Sequence, residues 1–421
     1  MLRTIFLLFL TIAVSVTTKA STQQTIDSLQ QIITGATESG KTYDITKYGA
    51  RGDGKKDCKP AFDKIMNIAR KKGGAHVVVP KGVYQLNGPI HLADNVCLEL
   101  QEGSTLRFSA EPHYYLPAVK TSWEGTYLYN YSPFIYGYGL KNVSIVGKGV
   151  IDGNCAETFA TWKPLQKAGQ KRSRDMNHQG VPVEDRRFGE GDYLRPHLIQ
   201  LYNCQGVTIE DVFVTNSPFW CIHLLDCENI ICRGIRYDAK LVNNDGIDLE
   251  MTRNFLVEDC TFDQGDDAVV VKSGRNQDAW RLNTPSENIV VRNCTILAGH
   301  VLLGIGSEMA GGVRNVYMHD CVAPNSVHRL MFLKTNHRRG GFIENIHMEN
   351  VKTGSTLRVL EIDTDVLYQW RNIVPTYEER ITKIDGIYMT DVQCESAKMI
   401  YELKGDERLP IQNVSMKNVH V

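Results

Sequence analysis

Between Asn243 and Lys334 the chain sets acids, a histidine and lysines beside glycines and small polar residues, in the gaps between short apolar runs. Asn243-Asn244-Asp245-Gly246-Ile247-Asp248 is followed by Gly265-Asp266-Asp267, then by Lys272-Ser273-Gly274, Gly299-His300, Gly306-Ser307-Glu308 and Leu333-Lys334-Thr335. A single Asp-Gly pair is an ordinary turn former. Two carboxylate clusters one repeat apart carry more weight. Close carboxylates cannot all ionise easily, so one pKa should rise and hold a proton near neutral pH while another group stays charged. A general acid and a general base need that division of states. A histidine one turn further on could steer which oxygen carries the proton.

The elements that must position these groups repeat. From about Lys141 onward a unit recurs: apolar, any residue, apolar, polar, Asn or Asp, then Cys or Val. Its Asx positions are Asp211, Asp259, Asn293, Asp320, Asn350, Asp391 and Asn418, with a weaker copy at Glu228 to Gly234 inside the longest gap. Alternating apolar residues over four to six positions predict half-buried strands. A repeat of this length without helical periodicity predicts a solenoid of stacked strands, and a parallel β-helix fits best. Successive turns then stack about 4.8 Å apart, so the twenty-one residues from Asp245 to Asp266 span one turn and set them on neighbouring rungs. Cys260, Cys294 and Cys321 share one inward ladder and are expected as buried thiols rather than disulfides. Asp259 and Asp320 read as corner residues and Asp248 as a turn shaper. Glu308 is a candidate partner for Arg314.

The rest of the chain frames this solenoid. Met1-Leu2-Arg3, the apolar run Ile5 to Val16 and Thr18-Lys19-Ala20 read as a signal peptide over 1–20, which implies export to the periplasm or medium. A leader follows over 21–42, and a single catalytic domain over 43–421. A helix is expected from Cys58 to about Arg70, capped by Asp57 and ended by Gly73-Gly74. Its apolar stripe would close the open end of the solenoid. Ala156 to Leu194 is charged, carries little strand signal, and is expected to wall off one end of a groove. The formal net charge of −1 gives no reason to expect nucleic acid or an anionic membrane surface as partner. No cofactor or metal is called for, no membrane contact after signal cleavage, and the chain is expected to be a monomer.

Tyr48-Gly49-Ala50-Arg51-Gly52-Asp53-Gly54 and Val79-Pro80-Lys81-Gly82-Val83-Tyr84 resemble the opening of the pectate-lyase-like β-helix superfamily. Asn216-Ser217-Pro218-Phe219-Trp220, Asn243 to Asp248, Gly265-Asp266-Asp267 and Gly299-His300 resemble glycoside hydrolase family 28, the polygalacturonases. Gly306 to Met309 with Gly311 to Asn315 resembles its bacterial members. The resemblance implies an all-β, right-handed parallel β-helix with an N-terminal capping helix, and hydrolysis of α-linked galacturonic acid in pectic polysaccharide with inversion. By resemblance Asp266 is the general acid, Asp245 and Asp267 hold and deprotonate the water, His300 tunes the acid, and Lys334 binds substrate. The chemistry asks for the same set, because an inverting glycosidase works with one protonated and one ionised carboxyl on opposite faces of the sugar. Asn243 and Lys272 are further substrate-binding candidates, and Trp220 and His223 could line a sugar subsite.

Three departures from the family pattern bear on the substrate. The family's Asn-Thr-Asp reads Asn243-Asn244-Asp245, its Gly-His-Gly reads Gly299-His300-Val301, and its Arg-Ile-Lys reads Phe332-Leu333-Lys334. A phenyl ring cannot replace a guanidinium that clamps a carboxylate through two hydrogen bonds, although Arg329, Arg338 and Arg339 lie near in sequence. Exo-action on galacturonan is the favoured reading, with a hydrolase of rhamnogalacturonan or substituted galacturonan as alternative. From other classes, a calcium-dependent pectate lyase and a non-catalytic β-helix carbohydrate-binding protein stay open.

Overall fold

Each turn of the chain delivers three short strands, for example Ile199–Tyr202, Gln205–Glu210 and Phe213–Thr215, followed by Ile222–Leu225, Glu228–Arg233 and Arg236–Asp238. Each of these strands pairs in parallel with its counterpart in the next turn, and the stack they belong to is a right-handed parallel β-helix. The computed structural model describes residues 22–37, 40–366 and 379–421; the expected targeting segment 1–20 lies outside them. No described helix is long and apolar enough to cross a membrane.

The alternation seen in sequence becomes inward ladders. Ile209, Cys232, Val257, Val291, Met318, Met348 and Met389 stand in register on successive rungs and are buried throughout. Cys260, Cys294 and Cys321 form a second buried ladder of thiols. The recurring Asx residues are explained by backbone geometry. Asp211, Asp259, Asn293, Asp320, Asn350, Asp391 and Asn418 all have φ between 52° and 65°, the left-handed region where Asn and Asp are tolerated best among residues with a Cβ. In the weak copy Gly234 takes that corner at φ 64°, and a Cβ there would lie 2.2 Å from Asp211 Oδ1.

The solenoid's N-terminal end is closed by a helix at Lys59–Lys72. Asp57 accepts from Lys59 N at 3.0 Å, Gly73 ends the helix at φ 82°, and Ala61, Phe62, Ile65, Met66 and Ala69 are buried beneath it. An earlier helix over 22–32 lies along the flank, with Ile26, Leu29 and Ile33 packed on Leu256, Val290 and Tyr317. We call the helices α1 (22–32), α2 (Lys59–Lys72), α3 (Lys167–His178) and α4 (Asn276–Leu282). The segment expected as a charged loop holds α3 between two short 3-10 turns. It is pinned to α4 by Arg186 and Asp278, both 2% exposed and joined by two hydrogen bonds of 2.5 and 3.0 Å.

Candidate active site

The catalytic candidates sit at the entrances to consecutive strands of one parallel stack. Asp245 precedes Ile247–Glu250, Asp266 and Asp267 precede Val269–Lys272, and His300 precedes Val301–Gly306. Register pairs Ile247 with Val269 and Val269 with Leu303. Asp245 and Asp267 are therefore equivalent positions on adjacent rungs, and Asp266 is equivalent to His300. Backbone bonds fix the offset: Gly246 N donates to Asp267 O and His300 N to Asp266 O, each at 2.9 Å.

The three aspartates open onto a cleft of about 490 Å³. Its floor includes Asp245, Asp266, Asp267, Lys272, Phe332 and Lys334, and its wall includes Lys163, Gln166, Lys167, Gln170 and Arg174 from the segment around α3. Asp266 is the accessible carboxyl of the trio, with its side chain 22% exposed against 4% for Asp267. Its two oxygens have different partners. Oδ1 lies 3.0 Å from His300 Nδ1, and Oδ2 accepts from Asn243 Nδ2 at 3.1 Å. The Asn243 carbonyl oxygen accepts from Arg195 at 2.8 Å and Lys163 at 2.5 Å. Two cations on that oxygen hold the amide group facing Asp266. Lys334 Nζ donates to Asp267 Oδ2 at 2.6 Å.

The carboxyls of the trio sit in different electrostatic surroundings. Burial, then the charges of Asp248, Asp266 and Asp267, push Asp245 well above the usual carboxylate range against the pull of Lys272. Burial pushes Asp266 up too, but its bond to His300, with the charges of His300 and Lys334, brings it below its ordinary value. His300 is raised, first by that hydrogen bond and then, against burial, by the Asp266 and Asp267 charges. The 3.0 Å contact between Asp266 and His300 accounts for both directions, since one shared proton there lowers the carboxyl and raises the imidazole.

Several candidates serve in ways the sequence reading did not foresee. His223 does not face the cleft: it is fully buried, with Nδ1 2.9 Å from Gln200 and Nε2 3.0 Å from Glu250. Burial and Lys272 hold its pKa down to about 3 and burial lifts Glu250 to about 7. Trp220 reaches the cleft with only 4% of its surface exposed, stacked on Phe219 at 4.9 Å and with Lys272 Nζ 4.6 Å from its ring centre. Lys272 is committed inside the protein, to Gly306 O at 3.1 Å and Glu308 at 3.2 Å, with Asp248 3.8 Å away. Asp248 is a buried residue in the middle of its strand, not a turn shaper. Glu308 pairs with Lys272, Arg275 and Arg339, whereas Arg314 pairs with Glu287 at 2.6 Å. Those three cations, against burial, hold Glu308 far below the usual carboxylate range.

Val301 is 2% exposed and adds no bulk to the cleft, and Arg338 and Arg339 are buried. Arg329 instead lies over the Phe332 ring, 4.6 Å from its centre, and pairs with Glu361. Lys163, Arg195, Glu124 and Arg275 belong to the site and were not singled out from sequence. They come from the irregular segments, where no repeat fixes a register. Asp266, Asp267 and His300 each bring a possible ligand atom within 4.8 Å of the others. Of these groups, Asp267 already accepts from Lys334, and Asp266 is bonded to His300 and Asn243.

Residues 71–421 match the model of glycosyl hydrolases family 28, and residues 42–99 match that of rhamnogalacturonase A/epimerase, pectate lyase-like. A probable polygalacturonase of Vitis vinifera is 26% identical over 90% of this chain and 73% of its own length. An exo-poly-alpha-D-galacturonosidase of Dickeya chrysanthemi is 28% identical over 68% of this chain, which spans half of that relative's length. Among solved structures, a hyperthermoactive exopolygalacturonase from Thermotoga maritima superimposes with a TM-score of 0.88 at 36% identity, over 94% of this chain and 90% of that one. The family match runs through every rung that carries the carboxylate trio and its histidine, and the chain belongs to glycosyl hydrolases family 28.

Proposed function

We propose that this chain is an exo-acting, inverting hydrolase of α-linked galacturonic acid in pectic polysaccharide, exported and working as a monomer. The carrying observation is the pair of equivalent acids, Asp245 and Asp267, on adjacent rungs beside the accessible Asp266 bonded to His300. The proton that Asp266 shares with His300 passes to the glycosidic oxygen from Asp266 as the bond to the leaving oxygen breaks. Asp245 and Asp267 hold a water on the opposite face of the sugar. Burial favours the neutral form of Asp245, and Asp267, ion-paired to Lys334, takes the water's proton. Water then adds at the anomeric carbon as the leaving oxygen departs, with inversion. Lys334, Lys163 and Lys167 present positive charge to an acidic sugar. The segment around α3 lines the cleft, and a wall there supports action from a chain end. The names of the Dickeya and Thermotoga relatives support the same substrate and mode.

Phe332 favours a second reading of the neighbouring subsite. An apolar ring on the cleft floor suits a sugar's C–H face or the methyl group of a rhamnose better than a carboxylate, so the neighbour is a neutral or substituted residue. Two measurements test the proposal. Proton NMR in the first minutes should show the released sugar in the anomeric configuration opposite to that of the cleaved bond; retention contradicts the water-between-carboxylates arrangement. Galacturonic acid should accumulate from polygalacturonate while viscosity falls slowly; a rapid viscosity drop means internal cleavage. Absorbance from a new double bond, abolished by a calcium chelator, would favour the lyase reading.

A further inference from the structure

His300 has a neighbour that the reaction as described does not use. Val301 pairs in register with Arg329, so His328 is the residue equivalent to His300 one rung further on. Equivalent side chains in a parallel stack stand about 4.8 Å apart. The two imidazoles lie 4.7 Å apart between centres and 12° from parallel. His328 is exposed, and no hydrogen bond to its ring nitrogens is found among the described residues. Ring stacking, not a hydrogen bond, sets its orientation.

We propose that His328 is a positioning residue: stacked flat on His300, it holds the catalytic imidazole in line with Asp266 Oδ1, on which the shared proton depends. The inference rests on the proposed roles of Asp266 and His300. A hydrogen bond weakens steeply as its angle closes, and His300, 47% exposed, makes one side-chain hydrogen bond, to Asp266, and one ring contact, to His328, among the described residues. The charged groups facing His300 are Asp266 and Asp267 from the turn before Val269, and Lys334 from the strand that carries His328. His328 faces His300 and Arg329, with Asp267 and Asp266 beyond. Partial desolvation and those two cations favour its neutral form. A neutral aromatic face over a protonated imidazole attracts it, whereas a second positive charge would repel it.

The test compares His328→Ala, His328→Phe and His328→Lys with the parent enzyme, measuring kcat and KM on oligogalacturonate across pH. His328→Ala is expected to lower kcat about three- to tenfold with KM within about twofold. Its alkaline limb should move down by roughly half a pH unit, the loss of one cation–ring contact. His328→Phe restores the flat ring without a titrating group and should recover both kcat and the limb. His328→Lys should move the limb further down, because a fixed charge disfavours protonated His300. Unchanged kcat and limb in His328→Ala overturn the inference, and so does a His328→Phe enzyme as impaired as the alanine variant. His300→Ala is run alongside: if it keeps full activity, the proposed role of His300 fails first, and that failure is distinct from the failure of the stack.

Discussion

Asp278→Asn should loosen the wall of the cleft without touching its floor. Arg186, in the segment around α3, gives two hydrogen bonds to Asp278 on α4 and two more to Val181 O and Tyr127 O, at 2.8 and 3.0 Å. Both side chains are 2% exposed. Replacing the acid by its amide leaves the guanidinium buried with neutral acceptors alone. Breaking a buried pair by removing one partner typically costs about 3–5 kcal/mol. If that cost falls on the docking of this segment, its open population rises roughly 10²- to 10³-fold, since each 1.4 kcal/mol is a factor of ten. The wall residues Lys163, Gln166, Lys167, Gln170 and Arg174 move with it. Limited proteolysis should then cut within 156–194 far faster than in the parent protein, and polygalacturonate viscosity should fall faster per bond cleaved. Replacing both partners by apolar residues, Arg186→Met with Asp278→Leu, should recover much of the resistance, because no charge is left stranded. Equal proteolysis rates in Asp278→Asn and parent would refute the claim that this pair holds the wall. Faster proteolysis with an unchanged viscosity profile would refute the claim that the wall enforces chain-end action.

Two further outcomes follow from the site. His300 is raised and Asp266 lowered, so the pair should hold one proton from below the ordinary carboxylate value to above 6.5, and activity should fall as pH rises through the raised His300 value. Histidine NMR should place His300 above 6.5 in the parent and lower in Asp266→Asn, where the charge that raises it is gone; an unmoved titration contradicts the coupling. Phe332→Arg should raise kcat/KM on unsubstituted oligogalacturonate relative to a rhamnose-containing pectin fragment. One charged hydrogen bond, worth roughly 1.5–3 kcal/mol, sets the ratio at about tenfold or more. A flat ratio would mean that Arg329, which lies over the Phe332 ring, already supplies the missing cation.

The parts of this molecule that repeat were legible, and the parts that do not were not. The repeat marked Asp259 and Asp320 as corner residues, and all seven Asx residues at that place prove to be left-handed, a backbone few other side chains tolerate. The same repeat set Asp245, Asp266, Asp267 and His300 on adjoining rungs, where the register puts them. α2 declared itself through Asp57, Pro60 and Gly73. By contrast, α1 shows Ile26, Leu29 and Ile33 at helical spacing, but nothing in sequence says that Leu256, Val290 and Tyr317 receive them. The fate of His223 depended on a covering layer. It looked like a groove residue by position, yet the hairpin of Val119–Trp123 and Thr126–Asn130 lies over it, and Ser122 joins it in bonding Glu250. Lys163 and Arg195 come from segments without strand periodicity, so their approach to Asn243 had no register from which to be predicted.

The central claim is that Asp266, steered by His300, protonates the leaving oxygen. Its most direct test is the kcat of Asp266→Asn on polygalacturonate, measured beside substrate binding and thermal unfolding. Asparagine keeps the shape and can still meet Asn243 and His300, but it has no acidic proton to give. General acid catalysis contributes about 10²- to 10⁴-fold. The account predicts a loss in that range, with binding and unfolding close to those of the parent. A loss of less than about tenfold in a folded, substrate-binding variant would contradict it, and the proton would have to come from another group.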